Sequence, residues 1–291
     1  MESKLSAPPD WTWRLSDRVL RRRAPLCAGI VNVTEDSMYE GSRSGTPEQA
    51  IEDGRRLAAA GFEMLDVGAV AARSGPPVPA DEEAAALLPA IEGLAGGEVP
   101  VSADTFSPEV ARRALDAGAT AINDISGGSD GMLELAAASG CGLVLMHVEG
   151  PPREDRPAPD YGDVIEHLLG WFGERLERAR ELGVGEEQVA IDPGLDFDLG
   201  LEDDLRILAR LDELRALGRP LYVSLSRKDF LGAVLAGSWD ERAGASEREW
   251  ATAAAAALAV TSGAAIMRLH DASALQAVQM AARVAGAEDG G

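Results

Sequence analysis

Short apolar runs alternate along the chain with longer segments whose apolar residues return on one helical face. The runs fall at 26–33, 62–68, 99–104, 119–125, 142–147, 188–192, 220–225 and 264–269. Their unbroken hydrophobicity predicts parallel strands covered on their outer face. The segments 47–60, 81–94, 108–117, 132–139, 161–182, 201–217, 247–262 and 272–285 between and after them predict helices. Thr46-Pro47 and Ser107-Pro108 each set a capping hydroxyl before a proline at the first helical position. Gly61, Gly118 and Gly183 stand where a left-handed residue ends a helix. Eight strand–helix units in a row predict an α/β fold closed as a single-domain (β/α)8 TIM barrel. Residues 1–20, polar and bearing tryptophans, are expected to form a hairpin or arm under a barrel that occupies 21–291.

Composition narrows the function. Hydrophobic residues make up 46% of the 291 residues but aromatics only 4%, so the core is built from Ala, Leu, Val and Ile. The formal charge of -22 would repel nucleic acid and anionic lipid, which excludes both as partners. An anionic substrate then needs a local cationic pocket. Cys27 and Cys141 lie in apolar runs and are expected as buried thiols, with no disulfide framework or zinc site built on them. No run of 18 uncharged apolar residues and no signal-peptide core is present, so a cytoplasmic protein is expected.

The chemistry gathers where the strands end. Asn32, Asp66, Asp104, Asn123-Asp124, His147 and Asp192 close the first six runs; Ser226-Arg227-Lys228 follow the seventh, and Arg268 with His270 end the eighth. A barrel builds its site from those ends. Asp104, Asn123 and Asp192 are acceptors or amide forks suited to a flat heterocycle with amino and ring N–H groups. Lys228, Arg268, His270 and Arg73 are donors suited to phosphate. With no Cys–His or Ser–His nucleophile pair, displacement by positioning and charge stabilisation is expected. His167 falls within a helix and is expected at the surface.

These residues carry a resemblance to the dihydropteroate synthase family. Gly29-Ile-Val-Asn-Val-Thr34 with Asp36-Ser37 resembles its opening motif. In family order follow Asp66-Val-Gly68 with Arg73 and Gly75, Asp104-Thr105, Ile122-Asn-Asp-Ile-Ser-Gly-Gly128, Met146-His147, Asp192-Pro-Gly194 with Phe197, Ser226-Arg-Lys228 and Arg268-Leu-His-Asp271. The resemblance implies a (β/α)8 barrel that condenses p-aminobenzoate with 6-hydroxymethyl-7,8-dihydropterin diphosphate to 7,8-dihydropteroate, with Mg2+, as a homodimer. It implies pterin contacts from Asp104, Asn123, Asp192 and Lys228, with Met146 and Phe197 also in the substrate site. Asn32 would meet the magnesium–diphosphate, Arg268 and His270 the diphosphate, and Arg73 the loop over p-aminobenzoate. Asp104 and Lys228 are the implied catalytic pair.

The departures lie on the p-aminobenzoate side. Ala71, Ala72 and Ser74 replace two hydroxyl residues and a proline of the family's second loop, and Glu35 replaces a proline of the opening motif. Asp196 and Asp198 stand at family glycines, Ser224 at a Gly or Ala, and Asp229 at a Ser or Arg. If the chain is a synthase, the p-aminobenzoate carboxylate is expected on the backbone N–H groups that open the helix after Lys228. Asp229 would then cap that helix outward; facing the pocket, it would repel the acceptor. The alternative is a paralogue that binds a pterin without synthase activity or uses another acceptor.

Overall fold

The computed structural model describes residues 10–33, 45–71, 73, 75–154 and 156–287. Thr34, Glu35, Asp36, Ser37, Ala72 and Ser74, named above, lie outside them. A short antiparallel hairpin, β1 (Trp11–Arg14) with β2 (Val19–Arg22), precedes eight strands: β3 (Leu26–Asn32), β4 (Met64–Gly68), β5 (Val101–Thr105), β6 (Ala121–Asp124), β7 (Gly142–Met146), β8 (Val189–Asp192), β9 (Leu221–Ser224) and β10 (Ala264–Leu269). These pair in parallel, each with its chain neighbours, and β10 closes on β3. Around them run α1 (Pro47–Ala59), α2 (Ala80–Leu94), α3 (Pro108–Asp116), α4 (Asp130–Ser139), α5 (Val164–Glu181), α6 (Leu201–Ala209), α7 (Asp229–Ala236), α8 (Glu249–Thr261) and α9 (Ala272–Ala285). The expected TIM barrel is the observed fold.

Several element boundaries differ from expectation, and three segments differ most. The helix expected from 161 starts at Val164, because the Asp163 side chain accepts from the amides of Ile165 and Glu166. The segment 201–217 breaks after Ala209, and Leu211–Leu217 tightens into a 3-10 helix. Asp229–Ala236 forms a separate helix in the β9–α8 connection. The hydroxyls of Thr46 and Ser107 cap α1 and α3 as their sequences indicate. No helix among the described residues is long and apolar enough to cross a membrane.

Strand periodicity sorts the barrel interior into layers. Residues two apart share a face, so Met64 is followed inward by Asp66, Ala121 by Asn123, Val144 by Met146, Ala190 by Asp192, Tyr222 by Ser224 and Ile266 by Arg268. The first member of each pair belongs to one buried cluster at the N-terminal end of the barrel. Trp11, Trp13 and Leu15 of the hairpin region join that cluster, and the Trp13 indole donates to the Gln188 carbonyl at 2.8 Å. The hairpin therefore plugs the bottom, and the polar members of the pairs form the floor of the opposite mouth. The outward residues, among them Leu65, Ile122, Leu143, Ile191 and Val223, pack under the helices in the main core.

Candidate active site

A cavity of about 540 Å³ opens at the C-terminal mouth of the barrel. Asn32, Arg73, Asp104, Asn123, Met146, Asp192, Phe197, Lys228, Arg268 and His270 all line it. The barrel thus brings these ten residues to one cavity; Asp66, Asp124 and His147, also named at strand ends, are not in its lining.

Its floor is a buried charge network. Arg268 Nε donates to Asp66 Oδ2 at 2.5 Å and its Nη2 to Asp104 Oδ2 at 2.6 Å. Asp66, wholly buried, also accepts from Ser102 Oγ at 2.5 Å and Asn123 Nδ2 at 3.0 Å. Burial raises the Asp104 carboxyl to about 7, Arg268 lowering it and Asp66 and Glu83 raising it further. Burial likewise lifts Asp192 to about 6, against the Gly194 amide that donates to its Oδ1 at 2.8 Å. Gly194 has φ +74, and a Cβ there would collide with the His147 carbonyl, so only glycine lets the chain fold back onto the carboxylate.

Among the described residues, two acceptors in this floor have no protein partner: Asp104 Oδ1 and Asn123 Oδ1. A buried polar atom left alone is destabilising, so both are arranged for a ligand's donors. Asp66 was named from the sequence as a strand-end residue, but no role was assigned to it. Its hub role depends on Arg268, 202 residues away.

The opposite wall carries Lys228 and His270. Lys228 Nζ donates to the Leu195 carbonyl at 2.8 Å and lies 4.6 Å from the Phe197 ring centroid. Burial lowers its pKa, against the pull of Asp196 and Asp192. Burial, then Arg268 and Arg227, push His270 down to about 3, so its ring is neutral. Ser226 Oγ accepts the His270 amide at 3.2 Å and lies 2.8 Å from Nδ1. A hydroxyl proton directed to Nδ1 would leave Nε2 as a neutral donor.

The acceptor side departs most from expectation. The amides of Asp229 and Phe230, which open α7, both donate to the Asp196 carboxylate, the second at 3.0 Å. An internal carboxylate therefore occupies the helix terminus expected to hold p-aminobenzoate. Asp196 and Asp198 adopt left-handed backbone, with φ of +66 and +54, at the family's glycine positions.

Asp229 neither caps outward nor projects as a lone charge. Its Oδ2 lies 2.6 Å from Arg73, and its Oδ1 lies 2.6 Å from Arg248 and 3.3 Å from Arg242. Burial alone would raise this carboxyl, but Arg248, Arg73 and Arg242 together hold it below the ordinary range. His167 is not simply a surface residue either: its Nε2 lies 2.8 Å from Glu149 Oε1 and 3.2 Å from His147 Nε2. Cys27 and Cys141 are buried and unpaired, as expected.

A family model described as pterin binding enzyme matches residues 28–270. A dihydropteroate synthase of Synechocystis is 36% identical over 251 residues, 85% of each chain. A Mycobacterium leprae protein named inactive dihydropteroate synthase 2 is 38% identical over 270 residues, 90% of this chain and 91% of that one. The Xanthomonas albilineans dihydropteroate synthase structure in complex with 7,8-dihydropteroate has a TM-score of 0.80 at 36% identity, covering 93% of this chain and 98% of that one.

Proposed function

This chain belongs to the pterin-binding enzyme family, in its dihydropteroate synthase branch, and we propose that its cavity joins 6-hydroxymethyl-7,8-dihydropterin diphosphate to p-aminobenzoate, releasing pyrophosphate and forming 7,8-dihydropteroate. It is a transferase. The observation that carries the substrate assignment is the pair of unpartnered acceptors, Asp104 Oδ1 and Asn123 Oδ1, in a floor shared with Asp192. A pterin offers an exocyclic amine and ring N–H groups to such acceptors. Met146 and Ile125 supply apolar wall, and Lys228 and Phe197 close the opposite side.

Cleavage of the carbon–oxygen bond to diphosphate leaves positive charge on the pterin methylene. The Asp104 carboxylate stabilises that charge when ionised, in a site that excludes water. The p-aminobenzoate nitrogen then forms the new carbon–nitrogen bond and gives up its proton to the released pyrophosphate. Arg268 holds Asp66 and Asp104 in place, and the His270 Nε2–H donates to the departing diphosphate.

Asn32 fits the magnesium role in kind. Its amide oxygen is a hard donor at the cavity rim, and Mg2+ takes few protein ligands when phosphate oxygens and water complete its shell. When bound, the ion would neutralise charge on the leaving diphosphate. Homodimer formation through α7, α8 and α9 is part of the same proposal: Val234, Leu235, Trp250, Leu258, Met280 and Val284 are large apolar residues at least half exposed on these helices. So is a cytoplasmic location.

With the α7 amides taken, Arg73 is the cation best placed for the p-aminobenzoate carboxylate, which must compete with Asp229 for it. Asp229→Ser should therefore lower KM for p-aminobenzoate by about 10-fold, equivalent to ~1.4 kcal/mol, with a smaller change in kcat. An unchanged KM in steady-state assays would remove Arg73 from this role.

Asp192→Asn should weaken pterin binding by about 10- to 100-fold, from the ~1.5–3 kcal/mol of a charged hydrogen bond, because the amide turns a donor toward the ligand's donors. Pyrophosphate affinity should stay within about twofold, and calorimetry with each ligand separates the two.

A second reading has its own support: Asp196 on the α7 amides suits a pterin-binding protein that uses no p-aminobenzoate. Saturating pterin diphosphate with millimolar p-aminobenzoate decides between them. Dihydropteroate formation establishes the synthase; pterin binding without turnover, in wild type and Asp229→Ser alike, establishes the other.

A further inference from the structure

Behind the β7 wall, outside the cavity, three side chains converge. His147 follows β7, Glu149 lies two residues on, and His167 is on α5. His147 Nε2 is 3.2 Å from Glu149 Oε1 and 3.2 Å from His167 Nε2, and His167 Nε2 is 2.8 Å from the same oxygen. The chain has only 3 histidines, and two of them meet here nitrogen to nitrogen. The His147 side chain is wholly buried, while those of Glu149 and His167 are 26% and 29% exposed, so the triangle has a solvent side.

Protons alone satisfy this arrangement poorly. If both Nε2 atoms carry hydrogen toward Glu149, two N–H groups crowd each other. If one is bare, its lone pair faces the carboxylate or serves only its neighbour. A cation resolves all three edges, because every atom then turns a lone pair inward. Zinc–nitrogen and zinc–oxygen bonds of about 2.0–2.2 Å in a tetrahedron separate ligands by about 3.3–3.6 Å, so the two His147 edges need open by about 0.1–0.4 Å and the His167–Glu149 edge by about 0.5–0.8 Å. Two imidazoles with one carboxylate select a zinc-like ion over magnesium.

We propose that His147, Glu149 and His167 form a binding site for one divalent transition-metal ion of the zinc class, with water in the fourth position. Aromatic rings pack against both imidazoles, and a carboxylate fixes the Glu149 backbone. The Trp171 ring centroid lies 5.0 Å from that of His147 and the Tyr161 centroid 4.5 Å from that of His167. Asp198 accepts the Glu149 amide at 3.0 Å and pairs with Arg156 at 3.0 Å.

The ion would pin the β7–α5 connection to α5. That connection carries Arg153, which donates to the carbonyls of Ala71 and Pro76 and so braces the loop bearing Arg73. The site is structural support for the acceptor side and takes no part in bond making.

The test uses untagged, chelator-treated full-length protein. Zn2+ competed against a chromophoric chelator should bind at one equivalent and raise the melting temperature, and Co2+ should give the visible bands of a four-coordinate ion. His167→Gln and Glu149→Gln should each weaken Zn2+ binding by at least about 10-fold, the loss expected even for a ligand's supporting partner. Both variants should keep the wild-type affinity for pterin diphosphate, which shows that they fold. Zn2+ affinity equal in wild type and both folded variants, or no binding at micromolar Zn2+, overturns the site.

Discussion

Replacing Arg268 by alanine should destabilise the folded chain by about 3–5 kcal/mol at neutral pH, the largest stability loss expected of any single change in the site. The guanidinium lies between Asp66, which is wholly buried, and Asp104. Without it, two carboxylates face each other in a dry floor. Arg268→Lys should recover little, because one ammonium cannot bridge two carboxylates as a planar fork does. Adding Asp66→Asn to Arg268→Ala should restore part of the loss by removing one of the stranded charges. The deficit should also grow as pH rises above 7, since Asp104, which titrates near 7 in the intact site and higher without Arg268, is then ionised and paired in the intact protein but must ionise unpaired in the variant. Urea unfolding at two pH values measures this. A loss below ~1 kcal/mol, or one that grows in acid, would contradict the network described.

Asp104→Asn should have the largest effect on turnover, lowering kcat by about 10²–10³ in addition to weakening pterin diphosphate binding. The amide still accepts a hydrogen bond but cannot neutralise the methylene cation. The pH profile supplies an independent check. Because Asp104 is raised to about 7 and Asp192 to about 6, wild-type kcat/KM should rise through this window as the carboxylates ionise. Asp104→Asn should shift the remaining acid limb toward 6.

The sign for stability is opposite. A carboxyl whose folded pKa exceeds its unfolded value favours the fold while protonated, so the Asp104 contribution is full below about 4 and is lost as pH rises through about 7. The ionised group that catalysis needs is therefore the less stable form of the empty protein. A kcat within about threefold of wild type would assign the charge stabilisation elsewhere.

Part of the site was legible because it repeats. Asp104, Asn123 and Asp192 each end an apolar run, and a closed parallel barrel carries all such ends to one mouth. Asp196 and Asp198 were visible only as departures from glycine. Where those carboxylates point depends on left-handed backbone and on α7 standing 33 residues later in the chain. Asp229 offered opposite readings, pocket or cap, because its neighbours Arg73, Arg242 and Arg248 come from separate segments.

The sequence by itself determined the (β/α)8 architecture, the plugged N-terminal end, and the polar layer at the strand ends. These rest on short-range rules: side-chain alternation along a strand, the helical repeat, and capping by neighbouring residues. Tertiary structure alone decided the Asp66–Arg268–Asp104 bridge, the occupation of the α7 amides by Asp196, and the meeting of His147 with His167. Each is a contact between polar groups on different elements, and no local period encodes its partner. Burial then changes what those groups are, making His270 neutral and lifting Asp104 toward neutrality, because the cost of a charge depends on the water that the whole fold excludes.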